Sequence, residues 1–86
     1  MLEKLKIVVE EMIQARWAQS YALSDILEHQ YGYSLIFLNQ KTGNRFSPTI
    51  IPRQFVYRLV IKNLPEARTA LEKELETAFE KELISG

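Results

Sequence analysis

The fold follows from the stretch SLIFLNQKTGNRFS, residues 34–47, in which two apolar segments flank one short polar turn. Residues 40–43 (QKTG) are typical of a type I turn followed by a glycine in the left-handed region, a common hairpin with a bulge. Gly43 supplies the positive φ that this turn needs, and Lys41 and Thr42 are ordinary residues for its tip. A phosphate-binding loop would need more glycines and a following helix, so the sequence predicts a β-hairpin.

The first strand of this hairpin carries apolar side chains on both faces. Leu35 and Phe37 would lie on one face, and Ile36 and Leu38 on the other. Runs of this kind are typical of strands that are covered on both sides. The helices of the chain, or a second subunit, are the two possible covers.

A further strand is predicted over residues 54–62 (QFVYRLVIK), because every second residue from Phe55 to Ile61 is apolar and the run is rich in β-branched and aromatic residues. A tight turn over residues 51–54 would precede it, with proline in second position. Pro48 predicts either that the strand over residues 45–51 is interrupted or that the affected position faces no partner strand. The hairpin would then extend to a three-stranded meander.

The two ends of the chain have helical periodicity. Residues 2–31 keep their apolar residues on one side of a helical wheel, which predicts a long N-terminal helix, either continuous or bent or split near residue 20, that stops at Gly32. Residues 63–83 form an amphipathic helix with Asn63 as its N-cap and Glu66 three residues later. The expected fold is therefore a single α+β domain over residues 1–86.

Composition limits the classes of protein to consider. The chain has 86 residues, of which 47% are hydrophobic, and no cysteine, so disulfides and thiolate zinc sites are excluded. No apolar run reaches the ~20 residues of a membrane-spanning helix. The N-terminal residues carry acids where a signal peptide would be apolar. We expect a cytoplasmic protein that needs no cofactor.

Charge is segregated along the chain. Residues 1–28 hold five acids and three bases, residues 29–65 five bases and no acid, and residues 66–86 six acids and three bases. The central bases are candidate contacts for nucleic-acid phosphates: Lys41, Arg45, Arg53, Arg58 and Lys62. In a sheet, Arg45, Arg58 and Lys62 would share a polar face and the aromatic residues would point inward. Neutralisation by the acidic helices is therefore the favoured alternative.

Catalysis has little support in this sequence. His29 is the only histidine, and Asp25 precedes it by four residues, so the two would pair on a helix. No motif places a serine or cysteine nucleophile beside them, and Asp25, Glu28 and His29 alone make an incomplete metal site. We expect no enzyme and no metal.

Two binding functions remain. The first is a non-enzymatic protein-binding or regulatory module that self-associates as a homodimer. Its predicted contacts are Trp17 and Tyr21, one helical turn apart on an otherwise polar face, with Arg16 beside them, since Trp, Tyr and Arg dominate interface hot spots. The alternative cover for that face is the C-terminal helix. The second function is a small nucleic-acid-binding regulator that uses the basic central segment.

Overall fold

The computed structural model describes residues 1–47 and 50–85. It confirms the α+β class, with an N-terminal helix, an antiparallel sheet that contains a hairpin, and a C-terminal helix. The elements in chain order are α1 (Leu2–Arg16), β1 (Tyr21–Glu28), β2 (Gly32–Asn39), β3 (Arg45–Phe46), β4 (Ile50–Pro52), α2 (Arg53–Val56), a π-helical segment (Tyr57–Ile61) and α3 (Pro65–Ser85).

Strand β2 lies at the centre of the sheet. It pairs antiparallel with β1 on one side and with β3 and β4 on the other, with Phe46 opposite Phe37 and Ile51 opposite Tyr33. Within the strand predicted over residues 45–51, the described residues form β3 and the start of β4. Pro48, on which the predicted interruption rested, lies outside the described residues.

The N-terminal helix is shorter than the helical wheel predicted, because α1 ends at Arg16 and residues 21–28 form β1. A shift of register between Leu23 and Asp25 marks a bulge in β1 at Ser24. The bulge adds one residue, so the inward side chains are Tyr21, Leu23 and Ile26. Their two-then-three spacing imitates a helical repeat, which explains the error.

Gly32, predicted to end a helix, begins β2 instead. A β-carbon at this position would collide with the carbonyl oxygen of Ile51 on β4, so only glycine allows the two strands to approach.

The strand predicted over residues 54–62 is also wrong, since residues 53–61 are helical: α2 continues directly into the π-helical segment. Pro52 precedes α2 in an extended conformation, in place of the predicted tight turn. The inward residues are Phe55, Val56, Leu59 and Val60, with a helical spacing of one, three and one. Tyr57 and Ile61, which completed the apparent alternation, are exposed.

Asn63 has a different role from the predicted N-cap. Its φ is 54° and α3 begins only at Pro65, the favoured place for proline in the first turn of a helix. The N–H of Leu64 donates to the carbonyl oxygen of Arg58 at 3.1 Å, so Asn63 terminates the preceding π-helical segment in a left-handed conformation.

The predicted hairpin turn between β2 and β3 is confirmed. Gly43 has a φ of 78°, and its N–H donates to the carbonyl oxygen of Asn39 at 2.8 Å. The side chain of Asn39 accepts hydrogen bonds from the N–H groups of Lys41 and Thr42 at 3.0 and 3.3 Å. Asn39 therefore holds the turn from the end of β2.

All helices pack on one face of the sheet, which we call the inner face. From the sheet, the core takes only residues of that face: Tyr21, Leu23, Ile26, Tyr33, Leu35, Phe37, Phe46 and Ile51. From the helices it takes residues such as Leu5 and Val9 of α1, Val56 and Leu59 of residues 53–61, and Leu71 and Leu75 of α3. In the described part of the chain, none of these helices combines the length and apolar character that a bilayer crossing needs.

Gly43→Val should lower the free energy of unfolding by about 1–2 kcal/mol, because a side chain with a β-carbon is disfavoured in the left-handed region. No atom lies within 4 Å of a β-carbon built at Gly43, so the cost arises from the backbone alone. Gly43→Asn is the matched control and should cost less, since asparagine tolerates this conformation. Urea denaturation measures both, and an unchanged Gly43→Val midpoint would contradict the turn assignment.

Candidate functional site

Trp17 and Tyr21 lie against Phe79 of α3. They were predicted as partner contacts because they were expected on an exposed helical face, and the structure does not place them on one. The Tyr21 ring stacks on Phe79 with 4.2 Å between centroids and 6° between planes. Trp17 meets the same ring edge-on at 4.9 Å. Tyr21 is only 3% exposed. The C-terminal helix, the alternative cover that the sequence left open, occupies this surface.

Arg16, the third predicted partner contact, also makes its contacts within the chain. Its two terminal nitrogens lie 3.1 Å from carboxylate oxygens of Glu72 and Glu76 on α3. The guanidinium lies 4.5 Å from the Trp17 ring centroid, within range of a cation–π interaction. These contacts connect the end of α1 to α3.

The environment of Tyr21 keeps its phenol neutral. Burial raises the pKa of Tyr21 above its ordinary value, and the negative charge of Glu82 raises it further. The hydroxyl donates to the carbonyl oxygen of Phe79 at 3.4 Å. A neutral donor beside α3 fits a structural role for this side chain.

Arg53 is neutralised inside the chain, although by a carboxylate of β1 and not by one of the acidic helices. It forms an ion pair with Glu28 at 2.8 Å and donates to the carbonyl oxygens of His29 and Gln30. The hydrogen bond that Arg53 donates to the Glu28 carboxylate is the main cause that raises the pKa of Arg53 above its ordinary value. Arg53 thereby fastens the start of α2 to the turn between β1 and β2.

The other four central bases do not share one face. Lys41 lies in the hairpin turn and Arg45 on β3, whereas Arg58 lies in the π-helical segment and Lys62 caps it. Among residues 1–47 and 50–85, no ion pair involves any of them. The common basic sheet face predicted for Arg45, Arg58 and Lys62 is therefore wrong, because it required residues 54–62 to be a strand.

Arg58 and Lys62 instead share an exposed helical surface with two apolar side chains. Tyr57, Arg58, Ile61 and Lys62 follow the helical spacing of one, three and one, opposite to the inward residues of the same element. A basic surface with an exposed aromatic ring is thus present on residues 57–62.

A second set of apolar residues lies on the sheet, on the side away from the helices. We call this side the outer sheet face. Its apolar residues are Ala22 and Leu27 on β1, Ile36 and Leu38 on β2, and Ile50 on β4. Leu27 is 45% and Ile50 56% exposed, while Ile36 and Leu38 are half-buried between neighbouring strands. Ala22, Leu27, Ile36 and Leu38 are neither core residues nor among the partly buried hydrophobic residues packed against the core.

The outer sheet face includes the second apolar side of the run LIFL, residues 35–38. Leu35 and Phe37 face the helices, and Ile36 and Leu38 belong to the outer sheet face. The described residues supply one of the two covers that such a run predicts. The sequence therefore indicated that one apolar pair of this run lies on a second face. The remaining members of the outer sheet face follow from strand pairings that the sequence did not reveal.

One acid and one base flank the apolar residues. Asp25 is paired with Ile36, and Arg45 with Leu38, so both belong to the outer sheet face. Asp25 stands at the rim, where it also borders a groove between β1 and α1. Its Oδ1 accepts the N–H of Ile26 at 2.8 Å, and within the described ranges neither Asp25 nor Arg45 forms an ion pair.

His29 lies at the end of β1 and contacts a serine. Its Nε2 is 2.7 Å from Oγ of Ser34, and the helical pair with Asp25 predicted from their spacing is not formed because this segment is a strand. No group of three metal-binding side chains occurs among residues 1–47 and 50–85.

Comparison with protein-family models, with curated proteins and with solved structures finds no match to this chain.

Tyr21→Ala should lower the free energy of unfolding by about 3–5 kcal/mol, because it leaves a cavity against Phe79. A loss of this size is a large share of the stability of a small domain. Tyr21→Phe keeps the stacked ring and removes only a long hydrogen bond, so it should cost about 1 kcal/mol or less.

Chemical denaturation with circular dichroism measures both Tyr21 variants. A Tyr21→Ala protein with the same midpoint as Tyr21→Phe would show that the stack with Phe79 contributes nothing to stability.

Proposed function

We propose that this chain is a non-enzymatic protein-binding module that self-associates, and that a second copy covers the outer sheet face. The proposal moves the interface away from Trp17, Tyr21 and Arg16, since these side chains make their contacts within the chain. The cytoplasmic location expected from the cysteine-free composition belongs to the same proposal.

The observation that carries the proposal is the separation of apolar residues into two sets by the sheet. The core residues of β1 and β2 lie on the inner face, and Ala22, Leu27, Ile36 and Leu38 lie on the outer sheet face without a helix against them. Large contiguous apolar patches are uncommon on monomers and mark interaction sites. These four residues lie together on one face of two paired strands, so the outer sheet face is a candidate for such a site.

The area suggests how strong the association is. β1 and β2 each have eight residues and span about 27 Å, and the neighbouring strands extend the face over about 10–14 Å. The face therefore covers on the order of 300–400 Å², about half of what each partner contributes to a standard interface. We expect a weak dimer with a dissociation constant in the micromolar range.

Leu27→Lys is expected to shift this equilibrium to monomer, because it places a charge in the apolar contact. Leu27 is exposed, so the monomer should keep its fold. Ile7→Lys is the matched control, since Ile7 is exposed to a similar degree (57%) but lies on α1.

Sedimentation equilibrium from micromolar to millimolar protein measures the effect. The wild type and Ile7→Lys should both reach the mass of a dimer, and Leu27→Lys should remain a monomer. A wild type that is monomeric throughout, or equal association by Leu27→Lys, would refute self-association through this face.

A second candidate function, nucleic-acid binding, has one observation in its favour. Arg58 and Lys62 are exposed residues of the segment 57–62 beside Tyr57, which is itself 45% exposed. Phosphates bind arginine and lysine, and bases stack on exposed aromatic rings. This surface differs from the sheet-based one predicted from the sequence, and Arg53 is no longer part of it.

Fluorescence anisotropy with single-stranded DNA at several salt concentrations tests this candidate. The Arg58→Glu, Lys62→Glu double variant should lower affinity and reduce the salt slope by about 1.4, which corresponds to two phosphate contacts. Lys4→Glu, Lys6→Glu on α1 is the charge-matched control. Absence of salt-dependent binding by the wild type would eliminate the candidate, as would an equal loss in the two double variants.

A further inference from the structure

We infer that the two copies pack with their β2 strands running in the same direction, so that Asp25 of each copy faces Arg45 of the other. The inference rests on the proposed self-association through the outer sheet face. It adds the symmetry of the dimer and the residues that select it.

The positions of the two charges on the sheet are the first step. Asp25 lies on β1 beside Ile36, and Arg45 lies on β3 beside Leu38. β1 and β3 flank β2 on opposite sides, so the acid and the base are about 10 Å apart across the sheet and about 7 Å apart along the strands. The negative charge thus lies on one side of the central strand and the positive charge on the other.

Two-fold symmetry then limits the possible arrangements. In a symmetric dimer each copy uses the same surface, and stacked sheets lie about 10 Å apart with their strands nearly aligned. A two-fold axis parallel to β2 places β1 of one copy over β3 of the other. An axis across the strands places β1 over β1 and β3 over β3.

Electrostatics separates these two arrangements. With the axis along β2, Asp25 lies on the same side of the dimer as Arg45 of the second copy, offset by about 7 Å along the strands, and this pairing occurs twice. With the axis across the strands, each carboxylate lies on the side of the other carboxylate, and each guanidinium on the side of the other guanidinium. Complementary rim charges select register and orientation, so the first arrangement is favoured.

The availability of both side chains supports the same arrangement. Among the described residues no carboxylate pairs with Arg45 and no base pairs with Asp25. Arg45 is exposed, and its long side chain can cross the gap between two stacked sheets. Among the described residues, Lys41, Arg58 and Lys62 likewise form no ion pair, but of these four bases only Arg45 lies on a strand of the sheet.

The test is a charge exchange measured by sedimentation equilibrium at low salt. Arg45→Asp and Asp25→Arg should each raise the dimer dissociation constant about tenfold, because each converts two attractive contacts into two repulsive ones. The Asp25→Arg, Arg45→Asp double variant should return to within about threefold of the wild type. Asp25→Asn keeps an acceptor for the N–H of Ile26 and should weaken the dimer less than Asp25→Arg.

The outcomes separate this inference from the function on which it rests. Single exchanges that leave association unchanged, while Leu27→Lys abolishes it, would overturn the arrangement and leave the interface in place. Single exchanges that weaken the dimer without recovery in the double variant, in chains that circular dichroism shows to be folded, would also overturn it. We expect the double variant to recover association at low salt. The difference between the single and double variants should shrink as added salt screens the charges.

Discussion

The contacts of one side chain, Phe79 of α3, hold the sheet to the helices. Its ring, which is 2% exposed, meets the rings of Trp17, Tyr21, Phe37 and Phe46 at centroid distances from 4.2 to 6.1 Å. These partners come from the end of α1 and from three different strands, and aromatic pairs stabilise beyond the area they bury. With α3 fixed on the inner face, and α1 and residues 53–61 packed beside it, the outer sheet face is left without a cover from the described chain. The proposed self-association follows from this one-sided packing.

The sequence predicted the elements whose local signals agree with their final environment. The β2–β3 hairpin was predicted because Gly43 is required by the backbone and the flanking residues are apolar, and its φ of 78° confirms this. α3 was predicted from its stripe of apolar residues. The prediction was wrong for segments in which an irregularity changed the spacing of the apolar residues. The bulge at Ser24 gave β1 a helix-like spacing, and the exposed Tyr57 and Ile61 gave residues 53–61 a strand-like one.

The candidate site was predictable in part. The LIFL run indicated a strand covered on both faces, which points to the outer sheet face, but Leu27 and Ile50 join it only through pairings with Ser34. Trp17 and Tyr21 looked exposed because they lay opposite the apolar stripe of a helix that ends before Tyr21. Arg53 illustrates a different limit, since its pairing with Glu28 joins residues 25 positions apart in the chain. Charge segregation along a sequence does not reveal such pairings.

The central claim is that a second copy covers the outer sheet face, and amide chemical shifts followed during dilution test it most directly. The shifts report each residue separately, so they locate the contact as well as detect it. The account predicts concentration-dependent shifts at Leu27, Ile36, Leu38 and Arg45, with α1 and α3 unchanged. Shifts confined to α1, α3 or residues 57–62, or none over the whole range, would contradict it.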